Sequence, residues 1–186
     1  MNVRDVLLKR ALMTDFEGDG FEYAHLGIRG PIKFEIHRLS AHPKEMDLVS
    51  RLLGEQMIGN VSSIAGVPTG GEPFAFLVSS YFEIPAFRIK GNYIEDGYVV
   101  GNCPGLIEDA TNTGKSGDIA RGVVKGNFNV DSKIYSIFNY GFRDDVPSLV
   151  YFRDILPCFK SSERERLEEW YEKAKKRYNK RSLKGL

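Results

Sequence analysis

The sequence predicts an α/β fold, a mostly parallel twisted sheet flanked by helices, and three observations lead there. From Val61 onward, short runs of β-forming residues alternate with helical runs, and a strand–turn–helix unit occurs twice. The turns inside those units, residues 66–71 and 110–114, are rich in glycine and small polar residues. The chain has 186 residues, 42% of them hydrophobic and 27% charged, which suits one soluble globular domain.

Each element follows from its own pattern. Residues 2–13 place Val3, Val6, Leu7, Ala11 and Leu12 near helical spacing. Residues 15–30 are rich in glycine and charge and read as loop with short extended pieces. Residues 33–38 alternate and predict a strand. Pro43 opens a helix running to about Ile58, with Met46, Val49, Leu53 and Met57 on its inner face. Residues 61–65 form a strand, 66–71 a tight loop, and 73–82 a helix. Residues 85–89 make the next strand, and 91–101 a hairpin or flap. A buried strand over 105–109 precedes a helix that begins near Lys115, where Ile119, Ala120, Val123 and Val124 share a face. Strands at 133–138 and 148–151 follow. The last helix runs from Ser161 to about Tyr178, with acidic residues leading and basic ones trailing, as the helix dipole favours. Its basic tail, 173–184, reads as a solvated helix end.

Charge and cysteine usage narrow the partners. A net charge of +1 provides no whole-chain field for nucleic acid. Cys103 and Cys158 share no metal-ligand spacing, and neither do His25, His37 and His42. No apolar run of about 18 residues is present, so no membrane partner is expected. The expected compartment is the cytoplasm.

The chemistry concentrates where the 105–109 strand ends. There the chain reads Glu108-Asp109-Ala110-Thr111-Asn112-Thr113-Gly114-Lys115-Ser116. Backbone N–H groups at the start of a helix, with the hydroxyls of Thr111, Thr113 and Ser116, suit a phosphate dianion. Two adjacent carboxylates just before that pocket suit the diol of a sugar whose 5-phosphate lies in the loop. Gly114-Lys115-Ser116 imitates the end of a Walker A loop, but that motif needs glycine five residues before its second glycine, where this chain has Asp109. A second loop, Val67-Pro68-Thr69-Gly70-Gly71, also joins a strand to a helix, and its small residues let backbone amides approach a ligand closely.

The first loop resembles the motif that binds 5-phosphoribosyl 1-diphosphate (PRPP) in type I phosphoribosyltransferases. The second is similar to their pyrophosphate loop. His25-Leu26-Gly27-Ile28-Arg29-Gly30-Pro31-Ile32-Lys33-Phe34, after Ala24, resembles a stretch of the orotate phosphoribosyltransferases, and Tyr151-Phe152-Arg153-Asp154-Ile155-Leu156 resembles their late strand and short helix. The resemblance implies a single domain with a small hood, from residues 1–40 and the C-terminal segment, over a core of about 41–150.

It also implies transfer of phosphoribose from PRPP to a nucleobase, orotate first, with pyrophosphate released. Salvage of another base, or a non-catalytic PRPP- or nucleotide-binding regulator, stays open. In the implied site Glu108 and Asp109 hold the ribose, and Ala110 to Ser116 hold the 5-phosphate. Residues 67–71 hold pyrophosphate, and Arg88 and Lys90 stabilise its departure. His25, Arg29, Phe34 and Asn139 face the base. Mg2+ would come with PRPP, touching Glu108 and Asp109, and a homodimer is the expected assembly. The sequence departs from the pattern at His25 and Leu26, where lysine and serine are usual. Asn112 replaces a threonine, and Asn139 stands near an expected arginine, with Arg143 a few residues on. Residues 91–102 carry Glu95 and Asp96 and no basic residue.

Overall fold

The computed structural model describes residues 2–23 and 25–182, so Ala24 and the tail residues 183–184 lie outside the described residues. Helix α1 (Val3–Arg10) begins at Asn2, whose side chain accepts the Asp5 N–H at 3.0 Å. Strands β1 (Leu12–Thr14), β2 (Phe21–Tyr23), β3 (Ile28–Gly30) and β4 (Ile32–Phe34) form two antiparallel ribbons, β1 with β4 and β2 with β3. The strand expected over 33–38 stops at Phe34, and Ile36–Ala41 winds into a 3-10 helix. Its three-residue turn puts Ile36 and Leu39 on one side, and both are fully buried.

Next come α2 (Pro43–Met57), β5 (Ser63–Gly66), α3 (Glu72–Phe82), the hairpin β6 (Phe87–Lys90) with β7 (Tyr93–Gly97), β8 (Pro104–Thr111) and α4 (Lys115–Phe128). β9 (Lys133–Asn139), β10 (Ser148–Tyr151), α5 (Phe152–Ile155) and α6 (Ser161–Ser182) complete the chain. The central sheet is parallel, in the order β10-β9-β8-β5, with Ala65 opposite Leu106 and Glu108 opposite Ser136.

Alternation along these strands feeds two cores. Ile64, Ile107, Tyr135 and Ile137 join the cluster under α1, α2 and α3, whereas Ala65, Leu106 and Ile134 join the one under α4. The helices answer at their own period: Val49, Leu53 and Met57 are buried on α2, and Ala120, Val123 and Val124 on α4.

The strand expected over 85–89 forms as β6, and it pairs with β7 and not with this sheet. The one β-bridge between its neighbourhood and β5 among the described residues is parallel, from Ala86 to Ile64. Pro85 has no N–H to give a ladder; its carbonyl accepts the Ile64 N–H at 2.8 Å. The returning chain is tied by hydroxyls: Ser63 Oγ donates to the Val100 carbonyl and accepts the Val100 N–H, both at 3.2 Å, and Ser62 Oγ accepts the Cys103 N–H at 3.2 Å.

Aromatic rings fasten the N-terminal ribbons and α6 to the sheet. Phe34 stacks on Phe138 with centroids 3.9 Å apart, and Tyr140 meets Phe138 and Tyr23 edge-on. Trp170 of α6 packs on Tyr23 at 5.0 Å.

Candidate active site

β8 delivers the acid pair. The strand runs to Thr111, two residues further than the alternation predicts, so Glu108 and Asp109 are held on a rigid element. Glu108 is buried, and its Oε2 accepts the Thr111 hydroxyl at 2.7 Å. Burial pushes its carboxyl up to about 7; the Thr111 hydrogen bond opposes that rise and the nearby Asp109 charge adds to it. Asp109 is partly buried, and burial raises its carboxyl too, against the Ala110 N–H donated to Oδ1 at 2.9 Å.

The glycine loop lies directly against this pair. A Cβ on Gly70 would stand 2.2 Å from Asp109 Oδ2, and one on Gly71 would stand 1.8 Å from the Ile107 carbonyl oxygen. Only glycine permits that approach. The Val67 N–H donates to the Ile107 carbonyl at 2.8 Å and the Gly71 N–H to the Val67 carbonyl at 3.0 Å, which closes the loop on β8. The Pro68–Thr69 peptide is cis. Residues 67–71 and the acids, far apart in sequence, are thus brought together.

The phosphate loop is shorter than expected. Ala110 and Thr111 belong to β8, leaving Asn112, Thr113 and Gly114 as the turn before α4. Thr111 is a correction: it is fully buried, its hydroxyl is committed to Glu108, and its N–H goes to Ser136 Oγ at 3.2 Å. Gly114 takes a left-handed conformation, φ 75°, to open α4. The first-turn N–H groups have no acceptor within the helix, and that of Lys115 meets Thr113 Oγ1 at 3.4 Å. Arg143 lies across Gly114, so close that a Cβ there would sit 2.5 Å from its Nη1. That guanidinium donates to Asp118 at 2.7 Å and to Asp145 at 2.7 and 2.8 Å. Asp145 first, and then Asp118, hold it firmly protonated.

The expected base contacts divide. His25 comes to the phosphate loop: it shares a cavity of about 770 Å³ with Thr113, Lys115, Tyr178 and Arg181. Phe34 does not; its ring is buried against Phe138. Asn139 is fully buried, and its amide N–H groups go to the Arg143 and Val146 carbonyls at 2.9 and 3.2 Å. Its oxygen accepts the Gly141 N–H at 2.7 Å. It shapes the turn after β9 and has no donor to spare. Arg29 is tied to the carbonyls of Asp19 and Gly20 at 2.9 and 2.6 Å and lines a different cavity, beside Trp170.

On the flap, Arg88 pairs with Glu95 at 3.1 Å and Glu72 at 3.5 Å, and Lys90 also pairs with Glu95. Both cations are therefore engaged by carboxylates of the chain itself. Among the described residues no group of three or more His, Cys, Asp or Glu could hold a metal. None of the described helices is long and apolar enough to cross a membrane.

Sequence reasoning missed the end of α6. Arg177 donates to the Gly27 carbonyl at 2.5 Å, Arg181 donates to the His25 carbonyl, and Tyr178 stacks on Phe142 at 5.8 Å. The available signal was the four-residue spacing of Arg177 and Arg181 with Tyr178 between them, which places all three near one face.

A parallel sheet whose central strand carries two acids close to its end, with a glycine loop on one side and a helix-opening turn on the other, is the type I phosphoribosyltransferase fold. Solved structures agree on the fold: Leishmania donovani UMP synthase has a TM-score of 0.77 at 19% identity, covering 92% of this chain and 42% of that one. Orotate phosphoribosyltransferase from Aeropyrum pernix has a TM-score of 0.71 at 22% identity, covering 84% of this chain and 98% of that one.

By sequence, the chain is similar to the orotate phosphoribosyltransferase of Listeria monocytogenes serotype 4b, 32% identical over 101 residues, 48% of each protein. The Listeria innocua enzyme of the same name is 31% identical over 101 residues. The matched region thus spans about half the length of these curated relatives. No family model matches the sequence.

Proposed function

We propose that the protein transfers the phosphoribosyl group of PRPP to a nucleobase, orotate first, releasing pyrophosphate. The observation that carries this reading is the seating of Asp109 against Gly70 at the end of β8, one short turn before the open N–H groups of α4. That arrangement offers a diol acceptor, a diphosphate surface and a phosphate cradle within one stretch of sheet edge.

In this reading Glu108 and Asp109 hold the ribose hydroxyls and favour positive charge at the anomeric carbon as its bond to pyrophosphate breaks. Asn112, Thr113, Gly114, Lys115 and Ser116 hold the 5-phosphate, Val67 to Gly71 hold the diphosphate, and His25 lies on the base side. Arg88 and Lys90 reach pyrophosphate after leaving Glu95. Two adjacent carboxylates without a third ligand suit Mg2+ arriving on the substrate's own oxygens, held by Glu108 and Asp109, where it would neutralise diphosphate charge.

The hood of residues 1–40 and the C-terminal segment would cover the core of 41–150. A homodimer in the cytoplasm is the working form, and the half-exposed Phe76 beside Met46 and Tyr81 offers it an apolar contact.

The test is pyrophosphate release from PRPP with Mg2+ and a panel of bases. Release with orotate supports the reading, and release with another base only would redirect it to salvage. The pairing of Arg88 and Lys90 with Glu95 favours one second reading, a regulator that binds PRPP or a nucleotide without turnover. Calorimetric PRPP binding with no release from any base would select it, and no binding at all would overturn both.

A further inference from the structure

The start of α4 carries an acid where the expected ligand is an anion. Asp118 stands one turn into the helix, its N–H donating to the Gly114 carbonyl at 2.9 Å, and it borders the same cavity as Thr113 and Lys115. The helix dipole favours an acid at that place, so α4 needs no cation to keep it. A phosphate dianion in the turn before α4 is a different matter. Carboxylate and phosphate would share the positive end of one helix and repel each other there.

Arg143 meets that carboxylate. Its Nη1 donates to Asp118 Oδ2 at 2.7 Å and its Nη2 to Oδ1 at 3.3 Å, a fork that takes both oxygens. The arginine side chain is only 13% exposed, against 48% for Asp118, so solvent screens this pair less than a surface one. One guanidinium serves both Asp118 and Asp145, and Arg121, 3.7 Å from Asp118, makes the charges even. The arginine is itself held in place. The Asn139 amide donates to its backbone carbonyl at 2.9 Å, Asp145 takes its Nε at 2.7 Å, and Gly114 has no side chain to keep the guanidinium away. A chain of contacts thus runs from the end of β9 to the turn before α4.

We propose that Arg143 is a positioning residue for the 5-phosphate: it holds and neutralises the Asp118 carboxylate, so that the start of α4 meets the ligand with N–H groups and not with a negative charge. The inference rests on the phosphoribosyl-transfer reading.

Calorimetry of ribose 5-phosphate and of pyrophosphate on the full chain tests it. Arg143→Gln frees Asp118 and should weaken ribose 5-phosphate about tenfold at low salt, the scale of one charge repelling a dianion from a few ångströms away near a surface. The loss should shrink as salt rises. Pyrophosphate, which residues 67–71 hold in the same reading, should bind the variant as it binds the wild type. Adding Asp118→Asn should restore most of the ribose 5-phosphate affinity, which a merely structural role for Arg143, or a direct grip on the phosphate, does not allow. Arg143→Lys should keep part of the affinity. Should Arg143→Gln not fold, the lysine variant carries the test, with a severalfold loss that Asp118→Asn reverses. An Arg143 variant that binds ribose 5-phosphate as tightly as the wild type, one that loses both ligands alike, or no recovery with Asp118→Asn would overturn the assignment. Wild-type binding separates the two failures. If ribose 5-phosphate binds the wild type and the variants do not follow this pattern, Arg143 is wrongly assigned; if neither ribose 5-phosphate nor PRPP binds the wild type, the underlying reading falls as well.

Discussion

Asp109 and Gly70 occupy their places jointly, because no side chain fits between them. Gly70→Ala should displace the carboxylate and weaken PRPP binding by about tenfold or more, the scale of one hydrogen bond to a charged group, with a near-normal melting profile. Gly71→Ala drives a methyl into the backbone of β8 and should cost stability, by about 1–3 kcal/mol or more in denaturant titration. Glu108 has a pH signature. Its carboxyl keeps a proton up to about 7 when folded, against 4.5 ordinarily. The folded chain therefore holds more protons than the unfolded chain between those values, and stability falls as pH rises through that window. Glu108→Gln should remove this loss, gaining about 1–3 kcal/mol over wild type at pH 8 and little at pH 4, as read by urea unfolding. The acid pair was legible because two carboxylates ending an apolar run before a glycine-bearing turn have few other uses. Thr111, Phe34 and Asn139 were not, because a hydroxyl, a ring and an amide serve packing as readily as binding, and only the fold reveals which partner each one has.

At the scale of elements, the hairpin of β6 and β7 holds its own cations through Glu95. Exposed pairs of this kind contribute only about 0–1 kcal/mol. Glu95→Gln should leave the melting temperature nearly unchanged while tightening pyrophosphate binding severalfold at low salt, as calorimetry would show. Unchanged affinity would mean that Arg88 and Lys90 never face the ligand. The parallel sheet flanked by helices followed from the alternation of strand and helix runs and from the glycine-rich turns that join them, with Ile64, Ile107 and Val49 in the core beneath α2 and α3. The 3-10 turn at Ile36–Ala41 did not, because Phe34 and Ile36 alternate as strand residues do, and the spacing of three that marks the tight helix appears only with Leu39. Nor did the pairing of β6 with β7 outside the central sheet, since a run of β-formers reads the same whichever strand it meets.

Across the whole molecule, the aromatic cluster of Phe34, Phe138, Tyr140, Tyr23 and Trp170 packs the N-terminal ribbons, the sheet and α6 against one another, and the three should unfold together. Phe138→Ala should lower stability by about 3–5 kcal/mol in a single transition; two separate transitions would show that the hood folds on its own. Phe76→Glu should yield monomers by light scattering if copies meet on α3. Long-range closure of this kind was hidden from the sequence, since Arg181 reaches back to His25 across nearly the full chain. The hydroxyl ties from Ser62 and Ser63 have a further result. A ladder resists peeling bond by bond, whereas a few alcohol contacts can be exchanged for water almost without cost, so the flap is moored and not woven in. Deuterium uptake at residues 87–99 should outrun that of β8 and β9 by orders of magnitude, and the boundary should fall at the one rung joining Ala86 to Ile64.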